Sequence, residues 1–389
     1  MVAALLAGRR VAVKEIIACG GVELTANTRV ELPTSWRWPR RDADVIARLR
    51  GAGAELVPQS LTHEFAWGIT TAQPDRPQAT NPWRPTHVAG GSTGGGAAAV
   101  AAGSVWAAVG TDTGGSVRIP ADWCGVVGWK PGMGWMSTAG VLPLAPSLDH
   151  VGFLTRTPAD LVLLGRAVGL ESHVVPSLAR RRVSSMVSDA PADRAARDAV
   201  EAALAMLERQ GMVRREPRQG LASSQVRETY TTVQMREARA VHRSLLGTWP
   251  GQKDHYGADV AARLEFADTL TDADEVRARC AREAIRHHVM CWFGDVDIVV
   301  TPTTGCMPPR REQPDRVVVD GVEMPTRDVV LSHTVLANLT GVPAVSVPVD
   351  TGRGNDAVRG VQLLVAPGCD ALALRAAEVI SSSSSRGEG

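Results

Sequence analysis

Along the first sixty positions the spacing of apolar residues changes twice, and each change predicts an element. Val11 to Lys14 is a short apolar run ending in a charge, which reads as a buried strand. From Asp42 to Gly53 the apolar positions Val45, Ile46, Leu49 and Ala52 recur at helical intervals, with Gly53 as the stop. Ala54 to Val57 returns to strand character. The chain thus opens by alternating strand and helix, as an α/β layered fold does.

The pattern breaks at Asn81. NPWRPTHVAGGSTGGG is built of turn formers, and the AAAVAAG behind it favours helix. Val105 to Val109 predicts a strand, GTDTGGS a second glycine-rich turn at its end, and Val126 to Trp129 another strand before Pro131. Residues 171–292 are rich in Arg, Glu and Ala at helical intervals, as in DRAARDAVEAALAMLERQG and DADEVRARCAREAIRHHVMCWF, and predict a helical cap layer. Strand patterns return within 295–378, in DVDIVVTPTT and GVPAVSVPV, before a closing helix DALALRAAEVI. The low-complexity residues 381–389, SSSSSRGEG, read as a disordered tail. There is no internal repeat.

Composition narrows the function classes. With 44% hydrophobic and 21% charged residues, the 389-residue chain can bury a large core. Its formal net charge of +1 is dispersed, which argues against nucleic acid or an anionic membrane as partner and for a small, weakly charged ligand. The six cysteines (Cys19, Cys124, Cys280, Cys291, Cys306 and Cys369) form no C-x-x-C pair and have no zinc-finger spacing to histidine, so they read as reduced thiols and no metal is expected. The opening MVAALLAGRR carries its charge after a short apolar run, the reverse of a signal peptide, and no run of about 18 apolar residues appears. The cytoplasm is the default location. Only three of the 42 basic residues are lysine, namely Lys14, Lys130 and Lys253. A lysine kept against that bias invites a chemical explanation, because lysine can give up its proton and arginine cannot.

The two glycine-rich turns admit several chemistries. No lysine follows either turn, so neither is a P-loop. Gly94, Gly96 and Ala99 satisfy G-x-G-x-x-A, but the prolines upstream deny the strand that a dinucleotide fingerprint requires. Gly90, Ser92 and Gly94 match the G-x-S-x-G nucleophile elbow, which needs the same strand and a later acid and histidine. A fourth reading uses both turns. Backbone N–H groups of Thr113, Gly114, Gly115 and Ser116 can converge as an oxyanion hole beside a serine hydroxyl, as acyl transfer requires.

GGSTGGGAAAVAAGSVWAAVGTDTGGSVRIPADWCGVVGWKP resembles the signature block of the amidase signature family. The likeness continues through Ser147 to Arg156, Asp297 to Thr304, Asn338 to Val349 and Gly360 to Leu364. It implies a single domain over 1–389: a catalytic core at 9–165, the cap at 171–292 and a return to the core sheet at 295–378. The implied fold is α/β, a large mixed β-sheet flanked by helices on both faces. It also implies Ser116 as nucleophile, Ser92 as a bridging serine on a cis peptide after Gly91, and Lys14 as base. Asp112 and Arg118 read as a structural pair shaping the turn. Lys130, Asp149 and Arg156 read as structural polar partners. The implied activity is hydrolysis of a small-molecule carboxamide through an acyl-enzyme, with no cofactor and no metal, and a homodimer stays open as its assembly.

Three departures from that pattern stand out. Glu15 replaces an aspartate after the lysine, Thr93 replaces a second serine, and the helical segment expected before the lysine strand is missing. Three other readings remain beside hydrolysis: an amidotransferase A-type subunit that works within a complex, a silent binding member of the fold, and a histidine-dependent esterase using Ser92.

Overall fold

The computed structural model describes residues 5–170, 177–352 and 358–384. In chain order the strands are β1 (Arg10–Lys14), β2 (Glu55–Ser60), β3 (Ala107–Asp112), β4 (Val127–Lys130), β5 (His150–Thr155), β6 (Arg182–Val187), β7 (Val213–Arg214), β8 (Arg218–Gln219), β9 (Ile298–Pro302), β10 (Arg316–Val319), β11 (Val322–Pro325), β12 (Ala344–Asp350) and β13 (Val358–Val365). Among the described residues, eleven of them form one sheet in the order β2-β1-β3-β5-β4-β12-β13-β9-β6-β7, with β8 paired to β6. β10 and β11 make a separate hairpin. The sheet is mixed: β1 runs parallel to β2 and β3, whereas β5, β4, β12, β13 and β9 pair antiparallel in succession.

Period-two alternation sorts the strand residues onto two faces. Val11 and Val13, Val345, Val347 and Val349, and Val361, Leu363 and Val365 all belong to one apolar cluster. Helices Pro158–Ala167, Arg194–Arg209 and Asp370–Ser384 cover this face. The alternate positions carry Ala12, Ala108, Ser346 and Gln362, and onto them pack the short helices Gly94–Ala101 and Arg118–Trp123. Two strand glycines permit that close approach. A Cβ on Gly110 would collide with the Thr93 side chain, and one on Gly128 would lie 2.7 Å from Ala121 Cβ.

The predicted apolar face of the first long helix is found in Asp44–Gly51, where Val45, Ile46 and Leu49 are fully buried. β3 begins two residues later than the spacing suggests, because Ser104 N–H still closes the preceding helix on Ala99 C=O. The expected cap needs a larger correction. Arg182–Val187 is a strand within the main sheet, parallel to β9, and Arg194–Arg209 packs on β13 and β9. The helical layer proper is Ser223–Ala240, Ala258–Thr269 and Asp272–Trp292, joined by Thr326–Thr340. The physical reason is that β6, with two serines at its centre, carries too few apolar residues to register against its arginine-rich surroundings. Residues 171–176 lie outside the described residues. The closing helix runs to Ser384 and takes in the first serines of the expected tail, while 385–389 also lie outside the described residues.

Candidate active site

β1 delivers Lys14 to the helix-covered face at the point where its pairing with β2 slips, between Ala12 and Lys14. The side chain is completely buried. Its Nζ lies 2.8 Å from Ser92 Oγ, 2.8 Å from Thr111 Oγ1 and 3.2 Å from Thr93 Oγ1. These partners are all hydroxyls, and among the described residues no carboxylate forms an ion pair with it. Burial therefore dominates, and it brings the Lys14 pKa down to about 7 against the opposing charges of Asp112, Asp149 and Glu15. Glu15 spends its carboxylate elsewhere, accepting the Thr62 N–H at 2.7 Å and the Thr25 hydroxyl at 2.5 Å.

Ser92 follows a cis Gly91–Ser92 peptide bond at the entrance to helix Gly94–Ala101. Ser116 sits at the end of the second glycine-rich turn, just before helix Arg118–Trp123. The two segments are joined by the Thr93 N–H, which donates to Ser116 C=O at 3.1 Å. Among the described residues no hydrogen bond links the Ser92 and Ser116 hydroxyls. Two buried histidines that a histidine-based reading could use are engaged elsewhere, His63 with Asp259 at 2.8 Å and His150 with Leu148 C=O at 2.7 Å.

Asp112 and Arg118 fix the turn. The Asp112 carboxylate accepts the N–H groups of Gly115 at 2.8 Å and Val117 at 3.2 Å. The Gly115 N–H is thus committed within the turn, which leaves Thr113, Gly114 and Ser116 as the remaining donors of the expected oxyanion hole. Arg118 bonds both oxygens of Asp112, and also Thr334 C=O, Gln362 Oε1 and Asn338 Oδ1. Burial pushes the Asp112 pKa up, but Arg118's charge and hydrogen bonds outweigh it and hold the carboxyl well below the usual range. Asp149 steadies the start of the same turn by accepting the Thr113 hydroxyl at 2.6 Å.

The helical layer supplies residues that the sequence pattern does not mark. Tyr230 presses its hydroxyl so close to Gly114 that any side chain there would collide with it. Gln234 Nε2 donates to Tyr230 Oη at 2.5 Å, while its Oε1 accepts from Trp67 Nε1 at 3.1 Å. Together with Arg327 and Leu331 they enclose Ser116 in a pocket with about 10 Å³ of free space, roughly room for one water. A cleft of about 700 Å³ abuts this pocket, and the two share Ile69 and Arg327. The one available signal is Tyr230 itself, since a buried tyrosine hydroxyl needs a partner.

Among the described residues no cluster of His, Cys, Asp and Glu could hold a metal ion, and no helix is long and apolar enough to cross a membrane. The amidase family model matches residues 2–374. The chain is 28% identical to the A-type subunit of a glutamyl-tRNA(Gln) amidotransferase from Maridesulfovibrio salexigens, across 96% of this chain and 83% of the relative. It is 30% identical to AtzE, a 1-carboxybiuret hydrolase subunit from Pseudomonas sp. strain ADP, across 96% of this chain and 84% of that one. A crystal structure of an amidase, 30% identical, superposes with a TM-score of 0.88 over 98% of this chain and 86% of its own. The chain belongs to the amidase family.

Proposed function

We propose that the protein hydrolyses a small carboxamide through an acyl-enzyme, with Ser116 as nucleophile, Ser92 as bridging hydroxyl and Lys14 as base. The observation that carries this reading is Lys14, buried without an ionic partner among the described residues and 2.8 Å from Ser92 Oγ. A neutral amine has two N–H donors and one lone pair, so with three hydroxyl neighbours one hydroxyl donates to it. On this reading Ser92 is that donor, although Thr111 Oγ1 lies at the same 2.8 Å. When the Ser116 hydroxyl turns toward Ser92, its proton passes to Ser92 as the Ser92 proton passes to Lys14, and Ser116 Oγ attacks the carbonyl carbon. Backbone N–H groups of Thr113, Gly114 and Ser116 would receive the oxyanion. The Lys14 proton returns through Ser92 to the leaving nitrogen as the C–N bond breaks, and water then hydrolyses the ester. On this reading residues 1–389 act as a single amidase domain.

The test is a fluorophosphonate label located by peptide mass. Modification of Ser116, lost in Ser116→Ala, supports the assignment; modification of Ser92 would overturn it. The similarity to an amidotransferase A-type subunit favours a second reading, in which the chain acts as such a subunit within a complex. Hydrolysis of simple amides by the isolated chain decides between them.

A further inference from the structure

Arg282 stands midway along helix Asp272–Trp292 in the helical layer, and its half-buried side chain spans two separate segments of the core. Each guanidinium nitrogen makes one hydrogen bond. Nε donates to Leu339 C=O at 2.8 Å, Nη1 to Ser147 Oγ at 2.6 Å and Nη2 to Ser147 C=O at 2.7 Å. Leu339 lies in the last turn of helix Thr326–Thr340, where carbonyls lack a partner within the helix and a cation is favoured. Ser147 is gripped from a second helix of the same layer, since its N–H donates to Glu237 Oε2 at 2.8 Å.

Both ends of this brace lead to the turn that carries Ser116. Beyond Ser147, Asp149 folds residues 144–149 on themselves by taking the N–H groups of Leu144 at 2.9 Å and Ala145 at 3.1 Å on Oδ2. Its Oδ1 accepts the Thr113 hydroxyl. Beyond Leu339, the same helix presents Thr334, whose hydroxyl donates to Gly114 C=O at 2.6 Å, and Asn338, whose Nδ2 donates to Asp112 C=O at 2.9 Å and Leu148 C=O at 3.4 Å. A trans peptide unit is planar, with its N–H pointing opposite to its C=O, so anchoring Asp112 C=O sets the aim of the Thr113 N–H. Two independent segments thus hold one turn, and Arg282 ties them to each other.

We infer that Arg282 is a positioning residue for the oxyanion donors: it locks the end of helix Thr326–Thr340 against Ser147, so that the N–H groups of Thr113 and Gly114 keep their aim at a carbonyl oxygen bound beside Ser116. It acts through Ser147, Asp149, Asn338 and Thr334. This rests on the Ser116 reading above and adds control of that site by the helical layer. The planar fork of arginine meets two carbonyls and a hydroxyl at once, which the single ammonium of lysine cannot do.

The experiment follows fluorophosphonate labelling of Ser116 in the full chain against reagent concentration and pH. In Arg282→Met the limiting rate should fall about ten- to hundredfold, the loss that a small misplacement of catalytic groups produces. The concentration giving half that rate and the pH midpoint of labelling should stay at their wild-type values, because the variant touches neither reagent nor Lys14. Arg282→Lys should recover little. In a Thr113→Val background, which cuts the route through Asp149, Arg282→Met should cost less than it does alone. Ser147→Ala keeps the carbonyl and loses one hydroxyl, so its limiting rate should fall about two- to tenfold with the same unchanged midpoint. That milder variant keeps the test decisive if Arg282→Met folds poorly. A limiting rate unchanged in both variants would overturn the inference, and so would a raised pH midpoint, which would mean that the fold has loosened around Lys14. Absence of labelling at Ser116 in the wild type would overturn the reading beneath it.

Discussion

Asp112 holds Arg118 with two hydrogen bonds, 3.0 Å from Nε to one oxygen and 2.9 Å from Nη2 to the other, and neither residue touches solvent. Removing one member of such a buried pair leaves an uncompensated charge, which costs about 3 to 5 kcal/mol, whereas removing both costs less. Arg118→Met should therefore lower the unfolding free energy by about that amount, and Asp112→Asn with Arg118→Met should recover part of the loss. Urea unfolding of the two single variants and the double variant measures the coupling. Additive losses would mean that the pair does not act as a unit.

Lys14 gives the sharpest pH prediction. As the proposed base it must be neutral, and its pKa lies at about 7, so acylation of Ser116 should be lost as pH falls through that value and be fully developed above it. Lys14→Arg keeps the charge but accepts no proton, and should be as inactive as Lys14→Ala. Single-turnover acylation across pH is the measurement. Near wild-type rates for Lys14→Arg would remove Lys14 from the chemistry.

Lys130 offers a separate titration. It is buried and donates to Pro131 C=O at 2.9 Å; burial, with repulsion from Arg118, lowers its pKa to about 7 against the pull of Asp112 and Asp370. In the unfolded chain it titrates near about 10.4. Between those values the unfolded state binds more protons, so its contribution to stability rises with pH there and is level below about 7. Cys124, Cys306 and Tyr230, whose pKa values are raised by burial, act oppositely but equally in a variant. The unfolding free energy of wild type minus that of Lys130→Met should thus climb with pH, by up to about 1.4 kcal/mol per unit. A flat difference from neutral to alkaline pH would mean that Lys130 stays charged in the fold.

Gly110 and Thr93 should prove coupled. Gly110→Ala places a methyl against the Thr93 side chain and should cost about 1 to 3 kcal/mol through overpacking. Thr93→Ser removes the Cγ2 atom at the closest approach and should restore part of that loss in the Gly110→Ala background. Thermal unfolding of the double variant tests this; no restoration would place the strain elsewhere.

The candidate site is legible in the sequence to the extent that its proposed chemistry is local. Ser92, Asp112, Ser116 and Arg118 sit within one glycine-rich block, and Lys14 stands out because lysine is scarce here. The wall of the pocket is not legible. Tyr230, Gln234 and Arg327 belong to helices far along the chain, where their spacing looks like that of any amphipathic surface, and only packing brings them to Ser116. The Gly115 N–H looks like an oxyanion donor in the sequence, because composition does not reveal that Asp112 already holds it. In the fold, the strongly patterned β1, β9 and β12 are plain, whereas β6 is lost among arginine-rich helices.

Arg118 finds Asp112 six residues earlier, but its other acceptors lie 216 to 244 residues later, at Thr334, Asn338 and Gln362. For a chain leaving the ribosome amino end first, Lys14, Ser92 and Ser116 all exist long before those acceptors do. The set of bonds that holds Arg118 behind the Ser116 turn is complete when β13 delivers Gln362, so a product truncated before β13 should label more slowly at Ser116 with a fluorophosphonate. A chain interrupted before residue 362 thus carries the amine and both hydroxyls without the full clamp that orders them.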